Sequence, residues 1–548
     1  MTARIVYDSA IMSDEAALLA AIVANAEDDT PRLVYADWLD EHEAPIQAEF
    51  IRTQCRLASG SAADPNYPDL LERYAELVAQ FRPMANATVL ALPPGFVYQA
   101  DIRHGTDHFR RGFLHTAGAE WTADYRDEWG PPPTDAELDR VCEGLAPLVA
   151  NTTVRHLVLD EMTPESLARV LVAPGAVALT GLTVQAADDT PDGGDALLRA
   201  LAAAKSINRL EHLGPTWNAT VAGLRALDAR FDRLRSFDFP SLSGTAAEIP
   251  AIARTRWFRN LRSASVVNMD RALQEPLLAA FAQLPHLESL DLRFNHRTAL
   301  KAFGIATGFP ALARLRCGSV NVGVAKLARG RFPRLAELVA RGVRPDAFRT
   351  LLEAKWLSQL RVLDVFNGVL TDASAVALSQ SAAAPHLRIL RLKFTQFTKA
   401  GLMTIADGSR FPNLTTLDIR TRNTLVRPAT MAQFAANLSL PHVRHLSLGE
   451  WPLGDEGAKA LAKNPALANV TRLMLDRCGI GESGFTALVR SPYLQQLVEL
   501  DVGNNNLKKA AALLDTAWLP RLAAFGLSGN PLTGPAREKL HRARGWVA

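Results

Sequence analysis

The chain has 548 residues, 48% hydrophobic and 21% charged, with Lys plus Arg 60 against Asp plus Glu 57 and a formal net charge of +3. That length exceeds one ordinary globular core, the composition excludes a disordered chain, and the charge balance excludes a global field drawing nucleic acid or anionic membrane. The N-terminal stretch lacks a basic region ahead of its apolar run, and no segment has the roughly eighteen uninterrupted apolar residues of a membrane span, so a cytoplasmic protein without membrane contact is expected. Cys55, Cys142, Cys317 and Cys478 lie far apart with no CxxC pair, which predicts free thiols, no disulfide and no zinc site.

In chain order, Ser13 precedes Asp14, Glu15 and the run AALLAAIVAN, the pattern of a capped helix. Thr30-Pro31 opens a second helix, since proline is tolerated at the first helical position. Its expected inner stripe is Val34, Trp38 and Leu39, with Arg32, Asp37, Asp40 and Glu41 outside; Arg32 is also placed to pair with Asp28, Asp29 or Glu49. AEFIRTQCRLA and PDLLERYAELVAQF predict two more helices completing a small helical module, residues 1–128. A proline-rich joint, 129–137, then leads into a capping-box helix at Thr134 and Glu137 with the stripe Leu138, Val141, Leu145 and Leu148.

The remainder, 138–548, repeats one phrase. LESLDLRFN starts at Leu287, LRVLDVFNG at Leu360, LRILRLKFT at Leu387, LTTLDIRTR at Leu414, VRHLSLGEW at Val443, VTRLMLDRC at Val470 and LVELDVGNN at Leu497. Weaker copies start at Val154, Leu179, Leu210, Leu234, Leu261, Leu312, Leu335 and Leu522, giving about fifteen units at a spacing of roughly 23 to 29 residues. Within a unit the LxL portion alternates like a strand, and segments such as TDASAVALSQSAA carry Ala and Leu at helical spacing. A single such unit cannot bury its apolar face, so stacked units are predicted to form an α/β solenoid: one parallel sheet inside the curve, helices outside. Pro285, Pro310, Pro333, Pro385, Pro412, Pro441 and Pro520 fall two residues before a repeat start, where a chain leaving a helix must turn.

These phrases resemble the leucine-rich repeat family, LxxLxLxxN/C, and the repeat length with a helical second half is similar to its ribonuclease-inhibitor-like subtype, a horseshoe. The resemblance implies that Asn295, Asn505, Asn530 and Cys478, in the N/C slot, satisfy buried backbone groups. The run from Asp14 to Gln54, with Leu18, Leu19, Ile22, Asp29, Thr30, Pro31, Arg32, Leu33, Tyr35, Ala36, Asp37, Trp38, Leu39, Glu49, Phe50, Ile51 and Arg52, resembles the bacterial repeat-companion domain. That resemblance implies an accessory module beside repeats and brings no activity with it. RRGFLHTA, from Arg110 to Ala117, is similar to the strand that opens such arrays and is expected to cap the solenoid.

No Walker, HExxH, GxSxG or Rossmann glycine pattern occurs, and no catalytic residue, metal or cofactor is assigned. His286, His386 and His442 share one phase, but sheet spacing holds His386 and His442 about 10 Å apart, too far for one ion. Cys317 and Cys478 fall on interior or N/C slots and are expected to be buried. The acidic helix around Asp37 and His42 reads as structural, with catalysis there a third option.

The inner face of the sheet is the expected site. It presents Arg293, Phe294, Asp364, Phe366, Arg388, Arg391, Lys393, Phe394, Asp418, Arg420, Trp451, Asp476, Arg477 and Asp501, with Asp291, Glu450 and Glu499 among them. Charges interleaved with aromatics suit a protein partner, aromatics and Arg being enriched at binding hot spots. The function expected is a non-enzymatic interaction scaffold or receptor; the alternative is nucleic-acid binding through Arg388, Arg391, Lys393, Arg420 and Arg422, against which the small net charge weighs. The partner's identity and the oligomeric state are not encoded in any motif.

Overall fold

A computed structural model describes residues 9–26, 28–60, 64–85, 96–97, 109–110, 113–114, 116–119, 133–187, 191–215, 218–293, 308–319, 321, 323–421, 426–510, 512 and 522–544. Four helices come first: α1 (Ser9–Ala24), α2 (Thr30–Glu41), α3 (Pro45–Ser59) and α4 (Tyr67–Ala85). Next are β1 (Phe96–Val97), β2 (Phe109–Arg110), β3 (Phe113–Leu114), β4 (Thr116–Ala119) and helix α5 (Asp135–Asn151). The strands continue as β5 (His156–Met162), β6 (Gly181–Ala186), β7 (His212–Pro215), β8 (Asn218–Thr220), β9 (Ser236–Phe239), β10 (Ser241–Ser243), β11 (Ser263–Val266) and β12 (Ser289–Leu292). After them come β13 (Arg314–Ser319), β14 (Glu337–Arg341), β15 (Val362–Phe366), β16 (Ile389–Leu392), β17 (Thr416–Asp418), β18 (His445–Ser447), β19 (Arg472–Met474), β20 (Glu499–Asp501) and β21 (Ala524–Gly526).

Two compact units result, Met1–Ser61 with Ala85–Phe294, and Ala62–Met84 with Asn295–Ala548. In the first, β4, β5, β6, β7, β9, β11 and β12 pair in parallel in that order, and β1 lies antiparallel on β4. The expected capping segment, Arg110–Ala117, runs through the β2–β3 hairpin into the first residues of β4, Thr116 and Ala117, which pair with β5 and open the parallel sheet. β8 and β10 make a short parallel side pair. In the second unit β13 to β21 pair in parallel, each with the next.

From β5 onward, the side strands β8 and β10 apart, every strand begins two residues after a repeat start, including those between Val154 and Leu261, where the leucines are often replaced. The register aligns one leucine per repeat: Leu338, Leu363, Leu390, Leu417, Leu446, Leu473 and Leu500 pair in succession, and all are buried. Stacked leucines of equal size fill the space between sheet and helices without offset, which is how one unit completes the core of the next. Helix starts are also tied across repeats. Asp372 accepts from the backbone N–H of Thr398 at 2.8 Å and of Gly401 at 2.9 Å, so the first turn of one helix caps its neighbour.

The N-terminal helices follow the same accounting of backbone groups. Arg32, expected outside its helix, is only 2% exposed. Its guanidinium donates to the carbonyls of Asn25 (3.4 Å), Ala26 (2.7 Å) and Asp28 (2.7 Å) in the turn that joins α1 to α2. The inner stripe of α2 is therefore Arg32, Tyr35, Ala36 and Leu39; Val34 is exposed, while Trp38 is partly buried and stacks on His42 with ring centroids 3.9 Å apart. Asp37 and Asp40 both pair with Arg52, at 2.6 and 2.7 Å. The capping box is present, Thr134 N donating to Glu137 at 2.8 Å and Glu137 N to the Thr134 hydroxyl at 3.4 Å.

The compact units do not divide at the expected joint 129–137. α1 packs on α5, and Arg155, at the first repeat start, donates to the Val23 carbonyl at 2.9 Å, so α1 shares a core with the early repeats. α4 leaves the helical module altogether and belongs to the second unit.

Candidate functional site

Along each strand of the second unit, the residues two and four places after the repeat start point away from the helices, because the leucines between them point in. This open face has two halves: the strand starts, and the strand ends with the loops that follow.

The strand-end half carries most of the expected site residues. Arg391 lies 3.8 Å from Asp364, Lys393 3.3 Å from Asp418, and Arg420 3.3 Å from Asp476, each pair crossing between strands. Burial pushes the Asp364 carboxyl up, against the pull of Arg391 and Lys393, and burial likewise raises Asp476 against Arg420. The mixed charges thus form an internally balanced network, and Asp418 within it is buried. In the first unit Arg293 pairs with Asp291 at 2.9 Å. Phe294 lies outside the described residues, as do Asn295 and Arg422.

Three aromatic or cationic side chains meet at the ends of β14, β15 and β16. Phe366 and Phe394 pack edge to face with centroids 5.3 Å apart, and the Arg341 guanidinium sits 5.7 Å from the Phe366 ring. Phe394 is 37% exposed and has φ +59°. Asn367, Glu450, Arg477, Asn504 and Gly529 take the same left-handed backbone at the same repeat phase. Arg341 has no signal in the repeat phrase, since it ends a strand whose copy, from Leu335, is weak.

Trp451 is a correction. It is fully buried, and its indole Nε1 donates to the Ile419 carbonyl at 2.7 Å. Counting from Val443 puts Trp451 in the N/C slot, where Cys478 Sγ approaches the Leu448 carbonyl at 3.1 Å, Asn505 Nδ2 donates to Leu475 at 2.8 Å and Asn530 Nδ2 to Val502 at 2.8 Å. Each of the four reaches the carbonyl at one phase of the preceding repeat. Trp451 therefore does the slot's backbone work and cannot meet a partner.

The strand-start half holds residues that the repeat phrase did not single out, and α4 lies on it. Tyr67 accepts from Arg314 at 2.9 Å, Asp69 is 4.0 Å from Arg388, and Glu72 accepts from the hydroxyls of Thr415, at 2.5 Å, and Thr416. Glu76 accepts from Thr471 at 2.7 Å and lies 4.0 Å from Arg444. Glu72 and Glu76 are 9% and 3% exposed, and Leu77 is fully buried. A cavity of about 40 Å³ remains beneath, lined by Leu71 and Ala75 of α4 and by Ile389, His445 and Arg472 of the strands. Burial, then the Arg472 charge, holds the His445 imidazole well below its ordinary range and so neutral.

In the first unit, a cleft of about 1040 Å³ between α1 and the early repeats is lined by Leu19, Val23, Val149, Arg155, Thr180 and Arg209, with Arg155 already committed to backbone carbonyls. Among the described residues, no group of three or more His, Cys, Asp or Glu is placed to hold a metal ion, and no helix is long and apolar enough to cross a membrane.

A family model described as Leucine Rich repeat matches residues 383–406 and 439–462, the repeats that begin at Leu387 and Val443. No curated protein matches the sequence. Among solved structures, the chain is similar to the Rad7 and Elc1 complex in yeast at 15% identity, covering 68% of this chain and 90% of that one with a TM-score of 0.40. It is similar to an internalin of Listeria monocytogenes at 13% identity, 71% and 94% coverage and TM-score 0.32. For a leucine-rich repeat protein of Leptospira interrogans the values are 14%, 78%, 94% and 0.32. With stacked LxxLxL strands in parallel register and two repeats matched by the family model, the fold is a leucine-rich repeat solenoid.

Proposed function

We propose that this protein is a non-enzymatic interaction scaffold that holds a protein partner on the strand-end half of the second unit's open face. Phe394 carries the reading. Its left-handed backbone slot suits the Asn and Gly found at Asn367, Asn504 and Gly529, whereas a bulky aromatic there is disfavoured by about 1–2 kcal/mol. The residue is more than a third exposed and its ring packs edge to face with Phe366, over which Arg341 sits. An exposed aromatic seated on a half-buried one that carries a cation over its ring suits a hot spot, and its surroundings, Arg391 with Asp364, Lys393 with Asp418 and Arg420 with Asp476, form a polar rim already in place. Asp501 and Arg477 extend that rim; Arg477 is exposed, while Arg388 lies on the strand-start half beside Asp69 of α4.

Pairing of its cations speaks against the nucleic-acid alternative. The repeat length and helical second half support the ribonuclease-inhibitor-like subtype, and the Arg32-centred packing of α1 on α2 supports a structural role for the N-terminal module, read as a repeat-companion domain.

The test is affinity capture from native lysate with the full chain as bait, run beside Phe394→Ala and the double variant Arg391→Ala, Lys393→Ala. A protein retained by the wild type should be lost from Phe394→Ala by about tenfold or more, the scale of a hot-spot residue. Equal recovery with Phe394→Ala would sink the assignment of this face.

A further inference from the structure

We infer that α4 is a built-in, displaceable occupant of the strand-start half of the second unit's open face, and that this half accepts an acidic helix of a partner protein in its place. The inference concerns the half of the face that the function proposed above leaves unused, and stands independently of it.

The fit is chemical. Asp69, Glu72 and Glu76 recur at helical spacing and form one acidic stripe on α4. Opposite them the strand starts offer Arg388, Thr415, Thr416, Arg444 and Thr471, donors without a carboxylate of their own among the contacts described. The Thr415 and Thr471 hydroxyls also lie 3.0 and 3.3 Å from the Arg388 and Arg444 carbonyls, so each has an alternative acceptor for its one hydrogen when the α4 carboxylate is absent. Arg361 and Arg388 stand close enough that burial and mutual repulsion lower Arg361, so the strip carries an excess of positive charge that an acidic helix relieves.

A helix already occupies the strip, and its side chains reach from Arg314 of β13 to Thr471 beside β19 through Tyr67, Asp69, Glu72 and Glu76.

The attachment is modest. Among the described side chains of α4 the buried apolar ones are Tyr67, Pro68 and Leu77, and two carboxylates are taken out of water, Glu72 against hydroxyls and Glu76 against a hydroxyl and Arg73 of its own helix at 2.7 Å. Such a contact is exchangeable: the desolvation of the carboxylates offsets much of what their partners return. A partner helix with the same acidic stripe and a larger apolar edge would outcompete α4.

The experiment uses the full chain and, as probe, a labelled peptide of residues 64–85. Glu72→Lys with Glu76→Lys sets two cations against Arg444 and Arg472 and should expel α4. The variant should bind the peptide at least tenfold more tightly than the wild type, and adding Thr416→Val and Thr471→Val should reverse the gain. In the expelled form His445, freed from the cover of Glu72 and Glu76 though still beside Arg472, Asp418, Arg391 and Lys393, should titrate by NMR nearer its ordinary range. An unchanged peptide affinity with an unchanged melting profile would overturn the inference. A gain that survives the threonine changes would place the peptide elsewhere and overturn it equally.

Discussion

Trp451 and Asn505 solve one problem with unlike side chains. Where a strand of the solenoid ends, the chain turns into a loop and leaves backbone groups buried without ladder partners, each of which costs about 1–3 kcal/mol if unmet. Asn505 meets four: Oδ1 accepts from Cys478 N and Ile480 N at 3.0 Å, and Nδ2 donates to Leu475 and Val502 at 2.8 and 2.9 Å. Trp451 meets only the Ile419 carbonyl, at 2.7 Å, but fills the slot with an apolar ring. The two substitutions should therefore differ in kind. Trp451→Phe keeps the packing and loses one donor, a cost of about 1–3 kcal/mol; Trp451→Ala adds a cavity and should cost about 3–5 kcal/mol. Chemical denaturation of both variants checks the order, and a Trp451→Phe as damaging as Trp451→Ala would show that the hydrogen bond, not the packing, dominates.

Among the elements, α4 is the one whose hold depends on pH. Burial is the main cause raising the Glu72 carboxyl, Asp69 adds to it, and the Thr415 and Thr416 hydroxyls with Arg444 only partly oppose it. The docked helix thus favours protonated Glu72. Its hold is strongest below the ordinary glutamate range and weakens as pH rises through the raised value in the docked state. Other charges facing the contact are Glu76 and Arg73 on α4 and Arg388, Arg391, His445 and Arg472 on the sheet side. Glu72→Gln, which keeps the acceptor without the charge, should slow amide exchange in α4 at neutral pH severalfold after correction for intrinsic rates, and should flatten its pH dependence. Exchange in α4 that slows with rising pH in the wild type would contradict the sign.

How much of this the sequence reveals also differs by element. The repeat phrase places the strands because an inward leucine at fixed phase leaves only one register that buries it, even where the leucine is replaced by Phe237 or Ala264. The amphipathic pattern of α4 reveals a helix but not which core it joins, because periodicity states that a face is buried and not against what. Arg32 escapes for a similar reason: a charged residue reads as outward unless the carbonyls it must satisfy, at Asn25, Ala26 and Asp28, are known to converge on it. Trp451 was legible in principle, eight places from Val443, but an aromatic after a strand invites a surface reading.

At the scale of the whole molecule, a formal charge of +3 over 548 residues leaves recognition to local arrangement. On the strand-end half Arg391, Lys393 and Arg420 each answer an aspartate of another strand. A polyanion would have to displace Asp364, Asp418 and Asp476 from these cations, and it would release few counterions in return, because the aspartates already neutralise them. Fluorescence anisotropy with a labelled single-stranded oligonucleotide at physiological salt should therefore show association no tighter than about 10⁻⁵ M, the range of non-specific binding. Aspartate-to-asparagine changes at all three positions would free the cations, and the variant should gain affinity together with a steep dependence on salt. Tight, salt-sensitive binding by the wild type would instead mean that the pairs open readily, and the open face would then have to be read as a nucleic-acid surface whose aspartates serve to gate it.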